Sequence, residues 1–184
     1  MSILKVARLG HPVLRQVAAP IDPQDITGPE VQRLIRDMLE TMLEYSGVGL
    51  AAPQVHVPRR LVLCGGGEDE DGRLTMRVLI NPEIKPTTEE TAGMWEGCLS
   101  VPGMRGYVER PAAVDVKAFN EKGERVELSL SGFPAVVVQH ECDHLDGTLY
   151  VDRLKDSRLF AYEEEAERFL NVTREEELVD EEEA

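Results

Sequence analysis

A run of apolar residues, Phe133-Pro134-Ala135-Val136-Val137-Val138, leads without a break into Gln139-His140-Glu141-Cys142-Asp143-His144. No other stretch constrains the chain as much. Taken as one helix from about Phe133 to Leu145, ending near Gly147, it sets His140 and His144 about 40° apart around the axis and one turn apart along it. Both imidazoles then face the same way and can grip one metal ion. Glu141 projects to their side, within reach of a water on that ion without filling a ligand position. The pattern points to a hydrolytic metal centre. H-E-x-x-H also arises by chance, however, and two histidines leave a metal under-coordinated.

Upstream, residues 29–46 read as an amphipathic helix, because Val31, Leu34, Ile35, Met38, Leu39, Met42 and Leu43 recur with helical spacing. Thr27 and Glu30 have capping-box spacing, Pro29 suits the first turn and Gly47 suits the stop. Arg60–Cys64 and Arg73–Ile80 are apolar-rich strands around the glycine-rich, acidic stretch Gly65 to Gly72, a hairpin with a long flexible tip. Ala112–Phe119 and Glu124–Ser131 alternate apolar and polar residues, with Asn120-Glu121-Lys122-Gly123 as the turn between them. A last amphipathic helix is expected from about Asp156 to Leu170, through Leu159, Tyr162, Ala166 and Phe169. No repeat or linker interrupts this order, so the pattern gives one α+β domain over residues 1–170.

Composition narrows the function classes. A net charge of −15 argues against nucleic acid as a partner, since phosphate binding needs a basic footprint. Seven acidic residues against Arg174 crowd residues 171–184, which reads as a solvated, disordered tail rather than a site. No run approaches the roughly 20 apolar residues of a membrane span. The N-terminus, MSILKVARLGHPVLRQ, has neither an uninterrupted apolar core nor a small-residue cleavage site, so a cytoplasmic protein is the expectation. Cys64, Cys98 and Cys142 make an odd set without framework spacing, which fits a reducing compartment where a thiol is core filler or a metal ligand.

A metal on His140 and His144 needs a third protein ligand from elsewhere in the chain. Cys98, within Trp95-Glu96-Gly97-Cys98-Leu99-Ser100, is the best candidate. A thiolate ligates strongly, and Gly97 clears a side chain from the approach; plain core packing is the competing reading of a lone cysteine. A third segment, Gly47-Val48-Gly49-Leu50-Ala51-Ala52-Pro53-Gln54, follows the first helix. Its small residues let a backbone approach a ligand closely, and its amide can donate to a developing oxyanion without binding the metal. Alone, it too reads as tight packing.

Together the three segments resemble peptide deformylase. The likeness lies in G-x-G-x-A-A-x-Q (Gly47–Gln54), E-G-C-L-S (Glu96–Ser100) and Q-H-E-x-D-H (Gln139–His144), all in order and intact. His11-Pro12-Val13-Leu14-Arg15 is a further similar feature, and the resemblance covers about residues 4 to 155. It implies an α+β fold of antiparallel β-sheets packed around a central helix carrying the H-E-x-x-H motif. It also implies one divalent metal ion on Cys98, His140 and His144, usually Fe²⁺ in the family, with Zn²⁺, Ni²⁺ or Co²⁺ able to occupy the site. The implied reaction removes the formyl group from the formylmethionyl end of nascent peptides and releases formate.

In that reaction Glu141 accepts and returns the proton, while the Gln54 amide and the backbone N–H of Leu99 meet the oxyanion. Val48, Met94, Phe133, Val136 and Val137 would wall a methionine pocket, and Gly49 would bond the peptide backbone. Arg105, seven residues past Cys98, matches a family arginine near the substrate end. Core packing is the competing reading for the five apolar residues, and an ordinary surface charge for Arg105. Asp143 and Gln139 either orient ligands or tie the helix down, Asp143 through Arg110. Cys142, about 200° from His140 around the helix, is expected in the core. His11 and His56 lack ligand spacing and are expected to be structural or exposed; Trp95 lines the cleft or packs.

The expected partner is a formylmethionyl nascent peptide met by a monomer near the ribosome. The acidic end around Glu163-Glu164-Glu165 would repel rRNA, so no direct nucleic-acid or membrane contact is expected. Two rivals share the motif. A zinc endopeptidase completes its site with histidine or carboxylate, and Cys98 speaks against that. A structural metal site needs four protein ligands, and neither Cys64 nor any other motif-linked residue supplies the fourth.

Overall fold

The computed structural model describes residues 2–68 and 74–170; the second half of the expected hairpin tip, from residue 69 on, and the acidic tail at 171–184 lie outside the described residues. In chain order the elements are helix α1 (Pro29–Glu44) and strands β1 (Gly49–Ala51), β2 (Leu61–Glu68), β3 (Leu74–Pro86), β4 (Thr91–Glu96), β5 (Met104–Pro111), β6 (Ala113–Phe119) and β7 (Arg125–Ser131). Helix α2 (Gly132–Leu145), strand β8 (Phe160–Tyr162) and helix α3 (Glu163–Phe169) complete the order. One sheet has the order β1-β2-β3-β6-β7 and a smaller one β4-β5-β8. Every pair within them is antiparallel, as the α+β expectation requires.

Strand β2 shows why the large sheet needs a helix on each face. Side chains alternate faces along a strand, yet Leu61, Val62, Leu63 and Cys64 are all buried. Leu61 and Leu63 pack with Ile35, Met38 and Met42 of α1. Val62 and Cys64 pack on the other side with Ala135, Val138 and Cys142 of α2. Burying each large apolar side chain contributes about 1.5–3 kcal/mol. At the far edge, β7 alternates exposed residues with the half-buried Val126, Leu128 and Leu130, which reach the α2 face. The chain passes straight from β7 into α2 at Gly132, whose φ of 60° is a left-handed corner that glycine adopts at little cost.

Helix α2 is buried without interruption from Ala135 to Leu145. Its apolar side chains fill the core, but Gln139, His140, Glu141, Asp143 and His144 are buried with them. Each must find a partner or a purpose, because an unpaired polar group away from water is costly.

Two helix expectations need correcting. Helix α1 starts on Gly28, which makes no side-chain cap, so the Thr27–Glu30 capping box does not form. Pro29 at the first helical position, with φ already fixed for the helix, marks the start instead. At the other end Gly47 N–H donates to Met42 O at 2.9 Å, but the left-handed residue is Ser46. Gly47 is small for a different reason: a Cβ there would meet Leu99 Cδ1 at 3.0 Å.

The helix expected over 156–170 forms only in its second half. Asp156 caps a 3-10 turn at Ser157–Leu159, and Phe160–Tyr162 pair with Met104–Gly106 as β8. An open edge of β5 and a place for Phe160 against Val108, Tyr150 and Leu154 outweigh local helix preference there. The expected strands run longer than expected in the first hairpin. β3 continues to Pro86 past a register shift at Asn81, whose side chain accepts from Ile21 N–H and donates to Ile21 O.

Leu63 is fully buried where sheet and α1 meet. Leu63→Ala is expected to lower stability by about 2–5 kcal/mol. Urea unfolding should show a reduced midpoint with an unchanged slope.

Candidate metal centre and active site

Cys98 follows β4 in a loop, and His140 and His144 sit one turn apart on α2. One ligand atom from each lies within 4.8 Å of the other two, and among the described residues this is the one group of three that could hold a metal. Cys98 Sγ is 3.4 Å from His144 Nε2. The two imidazoles meet edge to face at 5.1 Å, and the Tyr150 ring stacks on His140 at 5.9 Å. Burial and the nearby His140 push the His144 pKa well below its usual value. That leaves it the neutral imidazole a metal requires.

His140 is oriented from behind. Its Nδ1 lies 2.7 Å from Glu96 Oε2, which leaves Nε2 for the other ligands. Glu96 is in turn held by both arms of Arg110, at 2.5 and 2.9 Å. Arg110 also reaches Asp143 Oδ2 at 2.8 Å, and Arg153 closes the chain onto Asp143. Burial alone would raise the Glu96 pKa, but hydrogen bonds from Arg110 and His140 outweigh it and hold the carboxyl below its ordinary value. Burial would likewise lower His140, yet its links to Cys98 and Glu96 raise it well above the usual value. The same two acceptors that favour a positive charge on that ring favour a cation among these ligands. Gln139 Nε2 bonds Pro111 O at 3.0 Å and Ala135 O at 2.9 Å, which ties α2 to the end of β5.

Glu141 differs from its neighbours. It is buried, and its Oε2 has no hydrogen-bond partner among the described residues. Burial lifts its pKa to about 7. A buried carboxylate with a free oxygen beside three metal-ligand atoms fits a site built around a cation and a reacting water. Gly49 makes room for it, since a Cβ there would lie 2.3 Å from Glu141 Oε1.

Gln54 lies on a 3-10 turn after β1. Its Oε1 accepts from Ala51 N–H at 2.8 Å, which turns Nε2 toward Ser100 Oγ at 3.2 Å and Cys98 Sγ at 3.4 Å. The backbone N–H of Leu99 donates to no acceptor among the described residues. Next to the thiol, then, lie an amide already bonded to it and a backbone N–H that is free among the described residues.

These groups open into a cleft of about 1020 Å³. All seven residues expected to bind substrate line it: Val48, Gly49, Met94, Arg105, Phe133, Val136 and Val137. Val136 and Val137 are nearly buried, whereas Val48 is 38% exposed at the mouth. Arg105 bonds Glu163 Oε1 at 2.7 Å and lies over Gly97, where a Cβ would meet Arg105 Nη1 at 2.8 Å. Trp95 lines the cleft and packs edge to face on Tyr107. His11 and His56 are exposed at its rim, and His11 also accepts from Val13 N–H. Cys142 is in the core with Cys64, and burial pushes both thiols up, so they stay neutral.

Sequence reasoning gave Asp143 its Arg110 partner but left Glu96 and Arg153 without a role. A signal for Glu96 was present. A histidine ligand needs its second nitrogen held, and Glu96 is the carboxylate nearest Cys98 in the chain.

Residues 3–159 match the family model described as polypeptide deformylase. A peptide deformylase of Leptospira biflexa serovar Patoc is 45% identical over 170 residues, covering 90% of this chain and 95% of the relative. Peptide deformylase 1 of Bordetella pertussis is 45% identical over 163 residues, or 86% and 92% of the two chains. Among solved structures, the Met-Ala-Ser-bound class I type b peptide deformylase of Acinetobacter baumannii is 41% identical. It superposes with a TM-score of 0.78 over 84% of this chain and all of the other. The peptide deformylase of Thermotoga maritima gives 0.75 at 38% identity, over 85% of this chain and all of the other.

Arg110 and Glu96 are almost wholly buried. Replacing the guanidinium by Arg110→Met leaves the buried Glu96 with His140 alone and Asp143 with Arg153 alone. A loss of about 3–5 kcal/mol is expected, read as a lower thermal midpoint.

Proposed function

The chain belongs to the polypeptide deformylase family, and from that membership we propose how its residues divide the work of the reaction. Its activity is hydrolysis of the N-formyl group from newly made polypeptides, releasing formate, with a divalent metal ion. The observation that carries the residue assignment is the meeting of Cys98, His140 and His144 beside a buried Glu141 whose Oε2 has no partner among the described residues.

Cys98, His140 and His144 hold the ion, which supplies Lewis acidity and makes water a better nucleophile when bound. Fe²⁺ is our choice from the family resemblance, with Zn²⁺, Ni²⁺ and Co²⁺ as substitutes; a thiolate with two imidazoles suits zinc or iron. Glu141 takes the proton from the attacking water at its free Oε2 and later delivers it to the departing amine nitrogen. Gln54 Nε2 and the Leu99 N–H donate to the formyl oxygen as negative charge gathers on it. Glu96 keeps His140 in one tautomer and orientation throughout.

β1 is the outer strand of its sheet, and Gly49 presents its backbone to the cleft. A peptide laid along that edge continues the sheet by main-chain hydrogen bonds. Its methionine side chain enters the wall formed by Val48, Met94, Phe133, Val136 and Val137, and Arg105 marks the far end of the bound peptide. The Acinetobacter baumannii relative binds Met-Ala-Ser, which supports a short peptide as the ligand of this cleft. We read the chain as one catalytic domain over residues 1–170 with an acidic tail at 171–184. It acts as a cytoplasmic monomer close to the ribosome without gripping its RNA. No helix of the described residues is long and apolar enough to cross a membrane.

Two substitutions test the assignment in a formate-release assay on formyl-Met-Ala-Ser. Glu141→Gln is expected to cut kcat by about 10²–10⁴-fold while metal content, measured by mass spectrometry, stays at one ion per chain. Wild-type turnover in that variant would remove Glu141 from the role of base. Gln54→Leu is expected to cost about 10²–10³ in kcat with little change in KM, as loss of an oxyanion donor does.

A further inference from the structure

Apart from histidines, the charged side chains lining the cleft are Lys5, Arg8, Glu96, Arg105, Glu141 and Glu163. Glu96 is engaged by Arg110 and His140, Arg105 is paired with Glu163, and Glu141 is buried next to the metal ligands. Lys5 and Arg8 remain. Both are exposed, and neither side chain has an ion-pair or hydrogen-bond partner among the described residues.

In a chain of net charge −15, two unpaired cations on a cleft rim do not follow from overall basicity. Their place is set by the backbone. Ala7 N–H donates to Gln54 O at 2.7 Å and Leu9 N–H to Ser100 O at 2.8 Å. The segment carrying Lys5 and Arg8 is thereby laced to the two loops that hold Gln54 and Cys98. The rings of His11 and His56, 4.7 Å apart, extend the same polar wall.

We propose that Lys5 and Arg8 form a carboxylate subsite of the cleft and so bias which peptides, or how much product, the enzyme binds. The inference deepens the deformylase reading and rests on it. Two carboxylates meet this cleft: formate, produced beside Gln54, and an acidic side chain among the first residues of the peptide. The negative field of the rest of the chain repels either one, and two cations at the entrance offset that repulsion locally. The residues are exposed, so the effect is modest and falls as salt shortens the screening length.

Steady-state kinetics on the full chain, following free amine, test this with formyl-Met-Ala-Ser-amide, formyl-Met-Ala-Asp-amide and sodium formate as inhibitor. The variant is Lys5→Gln with Arg8→Gln. The control is Lys85→Gln with Lys122→Gln, which removes the same charge from exposed positions off the cleft. A fall of about two- to tenfold in the acidic-to-neutral ratio of kcat/KM in the variant, absent from the control, supports the subsite with the peptide as source. A rise of similar size in the formate inhibition constant supports it with the product as source. Either effect should fade in 1 M sodium chloride. If neither quantity moves beyond the control, the subsite is overturned. Wild-type protein that leaves the neutral peptide intact would instead sink the deformylase reading on which the subsite rests.

Discussion

The buried guanidinium of Arg110 is the joint on which the site depends. It lies on β5, grips Glu96 at the end of β4 and reaches Asp143 on α2. Three elements from two parts of the fold are thereby held in one register. Cys98 lies two residues beyond Glu96, and the histidines flank Asp143 on the helix. Fixing Arg110 against both carboxylates therefore fixes the thiol against the imidazoles. A buried ion pair of this kind adds little net stability compared with a well-packed apolar core, because desolvating each charge offsets most of the attraction. Here its contribution is positional: side chains drawn from a loop and a helix are held together within 4.8 Å.

Close approach is the second requirement, and glycine meets it. The β1 backbone runs beside Glu141 at a distance that no side chain at Gly49 would tolerate, and Arg105 lies flat over Gly97 in the same way. Without Cβ atoms at these two places, the strand edge can lie against Glu141 and the loop against Arg105. The small-residue run from Gly47 to Ala52 thus has two uses. Gly47 and Gly49 clear space, while Ala51 and Ala52 are buried as ordinary core.

What was legible in the sequence follows from how local each signal is. Helix α1 and the β6–β7 hairpin carry their periodicity within one segment, and α2 carries its apolar run and motif within one, so each could be read to within a few residues. The strands β1 and β8 are three residues long and have no period to detect. They exist because an edge of β2 or β5 is there to receive them. The same non-local pairing turned the first half of the expected final helix into a turn and a strand. At the site, motif spacing singled out Cys98, His140 and His144, whose candidate ligand atoms the fold brings within 4.8 Å of one another. It was blind to Glu96 as a partner of His140, since that contact joins residues 44 apart in the chain.

The polar groups on α2 separate structure from chemistry more sharply than any motif does. Gln139, His140 and Asp143 face inward and each is answered by a named partner: a carbonyl, a carboxylate or a pair of arginines. Among the described residues the buried side-chain atoms left unanswered are Glu141 Oε2 and His144 Nδ1. Folding alone gives no reason to bury a carboxylate oxygen with nothing to bond, and such exceptions collect where function overrides local satisfaction. The unanswered oxygen belongs to the residue between the two histidines, at the foot of the cleft. Removing its negative charge would relieve the fold of an unpaired group. A carboxylate at that position is thus accounted for by the proposed chemistry rather than by the packing.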